Sequence, residues 1–188
     1  MNSVRIIGGA WRRRVLRFPD SSGLRPTPDR VRETLFNWLG QELDGLTCLD
    51  LFAGSGALGF EAASRGAAKV VMVESAGKVA ESLKNNLKML GDPAHVEIVR
   101  GDAVQYLAST SQQFDVIFAD PPYHQGWIER LAPLLGKALK ADAALYLEAE
   151  RALQTPGPEL PDWRVIRHGK AGEVHYHLMR RQPTDTHA

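Results

Sequence analysis

Residues 49–59 read Leu49-Asp50-Leu51-Phe52-Ala53-Gly54-Ser55-Gly56-Ala57-Leu58-Gly59. The stretch Gly54 to Gly59 matches G-x-G-x-x-G, with a short apolar run before it and a helical pattern after it. A glycine loop between a strand and a helix lets a ligand approach the backbone and sets it on the unpaired N–H groups of the helix start. Glu74 stands 20 residues beyond Gly54, at the end of the next β-prone run. A carboxylate there accepts hydrogen bonds from both ribose hydroxyls. By this fingerprint the loop predicts a Rossmann-like nucleotide site, and a dinucleotide is a serious candidate.

Outward from the loop, short apolar runs alternate with helical patterns. Residues 46–51, 69–74, 96–100, 114–119 and 143–148 read as strands, and 57–65, 77–90, 103–108 and 126–139 as helices. Val79, Leu83, Leu87 and Leu90 share one helical face, with Gly91 as a stop. Such alternation predicts a parallel sheet covered on both faces. Residues 163–168 and 174–179 read as strands joined by Gly169-Lys170-Ala171-Gly172, too short for a parallel crossover, so they pair antiparallel. The expected fold is α/β, with the seven-stranded, mostly parallel, Rossmann-like sheet of class I methyltransferases and a C-terminal antiparallel hairpin. Ahead of it, residues 4–7 and 15–18 predict a small β-hairpin around Trp11, Arg12, Arg13 and Arg14. Thr27 reads as an N-cap, with Pro28 and Asp29 in the first turn of a helix over 28–40 that carries Val31, Leu35, Trp38 and Leu39 on one face.

Composition bounds the function classes. The chain has 188 residues, 44% hydrophobic and 24% charged, as for one globular domain, which excludes disordered and collagen-like chains. Its single cysteine, Cys48, excludes an intrachain disulfide and a cysteine-based zinc site. There is no membrane-spanning apolar run and no signal-peptide pattern, so a cytoplasmic protein is expected. The net charge of +1 hides an asymmetry. Residues 1–40 hold eight arginines and no lysine against Asp20, Asp29 and Glu33, a net +5 on a mildly acidic body. The guanidinium fork matches phosphate, so the arm suits a polyanion. A solvated charged face accounts for the charge equally well.

Three features favour S-adenosylmethionine over a dinucleotide. Asp50 ends its strand just before the glycines. It would repel a pyrophosphate and suits the ammonium of a methionine moiety. Phe52 and Ala53, ahead of Gly54, Ser55 and Gly56, complete the D-x-F-A-G-x-G form found in methyltransferases. Asp102, followed by Ala103, ends the third strand, where it can accept the adenine amino proton. Each carboxylate alone could be an ordinary polar strand end. Together they mark the ligand-binding edge of an α/β sheet.

The fourth strand runs into Asp120-Pro121-Pro122-Tyr123. This resembles the (D/N/S)-P-P-(Y/F/W) motif of methyltransferases that act on an amine conjugated to a planar system. Such a nitrogen is a poor nucleophile because its lone pair is delocalised. Asp120 can accept one N–H and the Pro121 carbonyl the other, while the fixed backbone of Pro121 and Pro122 aims the turn. Tyr123 offers a ring for stacking. A plain Pro-Pro turn is the alternative for the tetrapeptide taken alone. The tetrapeptide does not distinguish adenine, cytosine, guanine or glutamine nitrogens.

The arm narrows the choice. Arg5-Ile6-Ile7-Gly8-Gly9, Trp11-Arg12-Arg13-Arg14-Val15-Leu16 and the R-P-T-x-D-R-V-R-E-x-L-F-N segment from Arg25 to Asn37 closely resemble the RsmD family, over roughly residues 4–180. The resemblance implies methylation of guanine N2 in 16S ribosomal RNA, S-adenosylmethionine as cofactor, and a target within the assembling or assembled small subunit. It implies an RNA-contacting arm over 1–40 with Arg5, Arg12, Arg13, Arg14 and Arg25, a methyltransferase domain over 41–181 and a loose tail over 182–188. A monomer is expected. Thr27 is expected near the methionine end of the cofactor. Arg13 departs from the family, which usually has glycine there. Arg30 and Arg32 read nearly as readily as a solvated helix face as they do as contacts to cofactor or RNA. A DNA or protein amino-methyltransferase and a NAD-binding domain remain the rival readings.

Other residues carry weaker signals. His175 and His177 share a strand face but suggest no third ligand, so no metal is expected. His124 adjoins the tetrapeptide and reads as a solvated loop residue. Cys48 reads as core, and Lys170 as a turn residue.

Overall fold

The computed structural model describes residues 1–154 and 157–182. β3 (Thr47–Asp50), β4 (Lys69–Glu74), β5 (Val96–Arg100), β6 (Phe114–Ala119), β7 (Leu139–Ala149), β8 (Trp163–Ala171) and β9 (Val174–Arg181) form a seven-stranded sheet in the order β5-β4-β3-β6-β7-β9-β8. The first five run parallel, and β9 pairs antiparallel with β7 and β8. The expected class I sheet is present. β1 (Asn2–Arg5) and β2 (Val15–Phe18) make the separate N-terminal hairpin.

The strand sequences are apolar on both faces, as buried parallel strands must be. Cys48, Val70, Met72, Val116, Phe118 and Tyr146 point to one side, and Leu49, Val71, Val73, Ile117, Leu145 and Leu147 to the other. α1 (Asp29–Leu39), α2 (Ala57–Ser64) and α3 (Gly77–Met89) cover the first face. α4 (Ala103–Ser109) and α5 (Trp127–Ala138) cover the second. Val4, Ile6, Leu16 and Phe18 of the hairpin segment bury into the first cluster beside Val31, Leu35 and Phe36 of α1. The arm and the sheet therefore share one apolar core.

Several expected boundaries move. β1 lies two residues earlier than 4–7, because the Ile7 N–H bonds the Glu61 carboxylate rather than a partner strand. β7 starts at Leu139, directly after α5, where it pairs with Phe114 ahead of a register shift. Residues 169–171 are not a loop. β8 and β9 continue to Ala171 and Val174, and Gly172, at φ +60, takes the left-handed turn that a two-residue hairpin needs. Lys170 is thus a strand residue opposite His175. Thr27 does not cap α1. Its hydroxyl turns to Glu148, and Pro28, with no side-chain bond, precedes the first turn. Of the expected 182–188 tail, Gln182 bonds the Asp162 carbonyl, and the rest lies outside the described residues. Among the described residues, no helix is long and apolar enough to cross a membrane.

Candidate active site

β3 carries Asp50 to its C-terminal end, and the chain turns through Gly54, Ser55 and Gly56 into α2. Gly56 has φ +85, and a Cβ there would stand 2.4 Å from the Phe60 ring, so only glycine fits. A Cβ on Gly59 would meet Met72 of β4 at 2.8 Å. That close approach presses α2 onto the sheet and brings its N-terminus to the loop. Ser55 accepts the Ala57 N–H at 3.3 Å, and the Ala53 N–H bonds the Val73 carbonyl. Phe52 is half-buried and packs edge-on against Trp127, with centroids 5.0 Å apart.

Three carboxylates end three adjacent strands. Asp50 is buried and accepts the Gly59 N–H at 3.1 Å. Burial pushes its carboxyl up to about 7, against the lowering effect of the Gly59 and Phe52 N–H bonds. Glu74, at the end of β4, accepts the Gly54 N–H at 2.8 Å through one oxygen and the Ala76 N–H at 3.0 Å through the other. A carboxylate has about four lone-pair positions, so Glu74 can brace the loop and still take two hydroxyls. Asp102, after β5, caps α4 by accepting the Gln105 N–H at 3.0 Å, and Ala103 is buried behind it.

The segment before α1 crosses this loop. Leu24 lies so close to Gly54 that a Cβ there would stand 2.8 Å from the leucine Cδ1. Three residues on, the Thr27 hydroxyl donates to Glu148 on β7 at 3.2 Å. Residues 24–27 thus form a strap from the glycine loop to the middle of the sheet.

β6 lies between β3 and β7, so Asp120 emerges between the glycine loop after β3 and Glu148 on β7. Pro121 is buried, Tyr123 is half-buried and Pro122 is exposed. Glu148, to which sequence reasoning gave no role, lies beside Asp120. It is 5% exposed and accepts the Tyr146 hydroxyl at 2.5 Å as well as that of Thr27. The parallel register that sets Ala119 against Leu147 carries Asp120 alongside Glu148 at the strand ends. Burial, then the Glu148 charge, pushes the Asp120 carboxyl well above the usual carboxylate range. Asp120 therefore keeps its proton at a pH where an ordinary carboxyl has lost it. The available signal was a lone acid at the end of an otherwise apolar strand. A cavity of about 110 Å³ opens beside Glu148, lined also by Pro121, Pro122, His124, Trp127 and Glu150 among others.

The family model described as "Conserved hypothetical protein 95" matches residues 4–180. The Escherichia coli (strain K12) protein "Ribosomal RNA small subunit methyltransferase D" is 43% identical over 182 residues, 95% of this chain and 90% of that protein. The chain belongs to the RsmD family. A Haemophilus influenzae relative of the same name is 43% identical over 93% of this chain and 92% of its own length. The solved yhhF structure from Escherichia coli superposes with a TM-score of 0.85 at 41% identity, covering 96% of this chain and 99% of that one. A ribosomal protein L11 methylase structure from Lactobacillus delbrueckii, at 21% identity and TM-score 0.67, shares the fold.

In this RsmD chain the arginines do not converge. α2 runs back from the glycine loop for about 12 Å at 1.5 Å per residue. The arm loop docks at its far end, where Ala10 N–H bonds the Ser64 carbonyl at 2.8 Å and Trp11 N–H the Ser64 hydroxyl at 2.9 Å. Arg12 and Arg13 are exposed there. Arg14 bonds the Met89 carbonyl at the end of α3 at 2.8 Å. Arg25, exposed between Leu24 and Thr27, is the candidate at the mouth, and Arg5 is exposed on β1. Arg13 has φ +73, a left-handed conformation that costs a side-chain-bearing residue about 1–2 kcal/mol and that the family's usual glycine adopts without strain.

Arg32 is not on a solvated face. It is fully buried and bonds the carbonyls of Thr27 and Arg5, each at 3.0 Å, as well as Asp29 and Glu61. Glu61, equally buried, also accepts the Ile7 and Gly8 N–H groups and Arg65 Nε. Sequence reasoning missed Glu61 because it sits in the apolar α2 pattern.

The remaining candidates have structural partners. His177 uses both ring nitrogens internally, toward the Leu153 N–H and the Leu147 carbonyl, and burial lowers its pKa to about 4. It stacks on His168, across the strand pair, at 4.8 Å. Among the described residues, no group of three or more side chains is placed to hold a metal. Cys48 is buried in the core, and exposed His124 lies 3.6 Å from Glu150.

Proposed function

We propose that the protein, a ribosomal RNA methyltransferase of the RsmD family, methylates the exocyclic N2 amine of a guanine in 16S ribosomal RNA, using S-adenosylmethionine. The observation that carries this reading is the Asp120 carboxyl held between the glycine loop and Glu148. An acceptor stands there beside a nucleoside cradle, on a loop whose prolines fix a second acceptor, the Pro121 carbonyl. S-adenosylmethionine supplies an electrophilic methyl group on a sulfonium. The residues present fit it. Glu74 receives the ribose hydroxyls, Asp102 the adenine amine, and Gly54, Ser55 and Gly56 admit the ligand to the start of α2. Asp50, raised by burial and bonded to N–H donors, gains a counter-charge from the methionine ammonium. A pyrophosphate would instead meet three carboxylates, which disfavours NAD.

Asp120 and Pro121 accept the two N–H groups of the target amine and leave its lone pair facing the methyl carbon. Tyr123 stacks on the base. Positioning and electrostatics carry the rate. The substrate is RNA within the assembling or assembled small subunit, and the enzyme acts in the cytoplasm as a monomer. Arginines at both ends of α2 suit a large folded particle more than a short oligonucleotide.

Glu74→Ala should weaken S-adenosylmethionine binding by at least about tenfold in calorimetry, since each charge-assisted hydrogen bond is worth about 1.5–3 kcal/mol. The loop also loses its brace at Gly54. Wild-type affinity in the variant would remove Glu74 from the ribose. Replacing Arg12 and Arg13 with glutamine should flatten the dependence of log K for RNA on log salt by about 0.7–0.9 for each phosphate left without its arginine. Melting should hardly change, as exposed substitutions usually stay within about 0.5 kcal/mol. Arg14 is left in place because it bonds the end of α3. An unchanged slope would return the loop to the solvated surface.

The reading as a whole is tested by incubating the protein with methyl-labelled S-adenosylmethionine and small subunits from a strain lacking the enzyme. Nucleoside mass spectrometry should find N2-methylguanosine. Label on another base, on DNA or on protein would overturn the substrate assignment.

A further inference from the structure

We propose that Glu148 is a positioning residue for methyl transfer, joining Asp120 in a carboxyl pair that takes up the proton the target amine releases. This rests on the reading of the site given above.

The geometry singles out Glu148. It is the buried carboxylate on β7 whose one oxygen, Oε1, is held by two hydroxyls, Tyr146 from its own strand and Thr27 from the strap. Neither partner is a cation. A buried acid held by neutral donors and set against a second acid is costly in the resting fold, the usual mark of a functional pair. It also lines the cavity beside Pro121 and Pro122.

The chemistry supplies the reason for a pair. The amine lone pair forms the new N–C bond, and the C–S bond breaks with its electrons going to sulfur. The nitrogen then carries a positive charge and a surplus proton. Its N–H bond breaks toward Asp120, with the electron pair staying on nitrogen. Asp120, ionised before the step, holds the proton after it and returns it to water. The Glu148 charge raises the proton affinity of Asp120, and the Tyr146 and Thr27 hydroxyls fix where that charge sits.

The groups facing the pair from each neighbouring element are acids or phenols. They are Asp50 from β3, Tyr123 from the Asp120 loop, Tyr146 from β7, and Tyr176 of β9, opposite Glu148 in register. Glu150 and His124 stand at the cavity rim, and Arg32 lies beyond Thr27, on its carbonyl. None of these near neighbours brings a positive charge that would draw the proton off Asp120.

The test is a single-turnover rate profile from about pH 5.5 to pH 9.5, with saturating cofactor and small subunits. In the wild type the rate rises with pH as the pair gives up a proton. Glu148→Gln removes one like charge, so the limb should move to lower pH by about one unit or more. Its plateau should fall about tenfold, while KM for the subunit and cofactor affinity stay within about twofold. Thr27→Val, which keeps both carboxyls and loses one fixing bond, should move the limb the same way by less, and it serves if the glutamine variant does not fold. An active wild type whose limb and plateau are unmoved in both variants overturns the proposal alone. A wild type that transfers no methyl group overturns the reading of the site and the proposal with it.

Discussion

Asp120→Ala is expected to lower the single-turnover rate of methyl transfer by about 10²–10³-fold, the usual loss when one positioned hydrogen-bond partner is removed. Cofactor and RNA affinities should stay within a few-fold, because Asp120 meets the amine rather than the phosphates or the ribose. Asp120→Asn separates the two duties of the side chain. The amide oxygen still accepts an N–H, so the rate falls less, but the amide cannot take up a proton, and the rising pH limb disappears. Stability should move the other way. A carboxyl whose folded pKa is raised destabilises the fold as pH climbs from the unfolded value, about 3.9, toward the folded one. Asparagine is neutral throughout, so the variant should melt with the wild type near pH 4 and above it at pH 8. Each kcal/mol relieved is worth about 2–4 °C in a chain of this size. Scanning fluorimetry across pH checks the sign. A variant that keeps the wild-type rate reduces the tetrapeptide to a turn.

The parts of the fold legible in the sequence were those with a strong period. Residues 69–74 and 114–119 are mostly apolar runs because both their faces are buried, and 96–100, at the sheet edge, carries β-prone Val96, Ile98 and Val99; all three form strands with those bounds. The boundaries that moved were set by distant partners. Ile7 leaves the hairpin for Glu61, and Thr27 leaves the helix cap for Glu148, pairings that no local spacing encodes. Residues 169–171 read as a loop because of glycine, yet Gly169 is a strand residue against which the Tyr176 ring packs. A Cβ there would meet the tyrosine at 2.2 Å.

The site divides in the same way. Asp50, Glu74, Asp102 and Asp120 were legible because each ends a strand and the strand order brings those ends together. Glu148, Glu61 and Arg32 were not. Glu61 is one charge inside an apolar helix, Glu148 lies at a strand end with no motif behind it, and Arg32 stands among Asp29, Arg30 and Glu33; each has a partner far along the chain, 121 residues away in the case of Glu148 and Thr27. A charge run also reads as one unit, whereas the structure divides it: Arg14 bonds the end of α3, Arg32 lies in the core, and Arg12, Arg13 and Arg25 are exposed.

Arg32→Met should lower the melting temperature by about 6–20 °C, the equivalent of the roughly 3–5 kcal/mol lost when one member of a buried ion pair is removed. The guanidinium joins four places: the carbonyls of Thr27 and Arg5, and the carboxylates of Asp29 and Glu61. Methionine fills much of its volume, so the loss is electrostatic rather than a cavity. Glu61 would keep Arg65 and the Ile7 and Gly8 N–H groups but lose its fully buried partner. Arg32→Lys should also cost stability, because a single ammonium cannot span four acceptors as the planar fork does. Adding Glu61→Gln to Arg32→Met should recover part of the loss, since the unpaired buried charge is then gone. Function should follow stability at one point. The Thr27 carbonyl anchors the strap, so loosening it should weaken cofactor binding even below the melting transition. A variant that melts within about a degree of wild type would return Arg32 to the solvated helix face suggested by its neighbours Arg30 and Glu33.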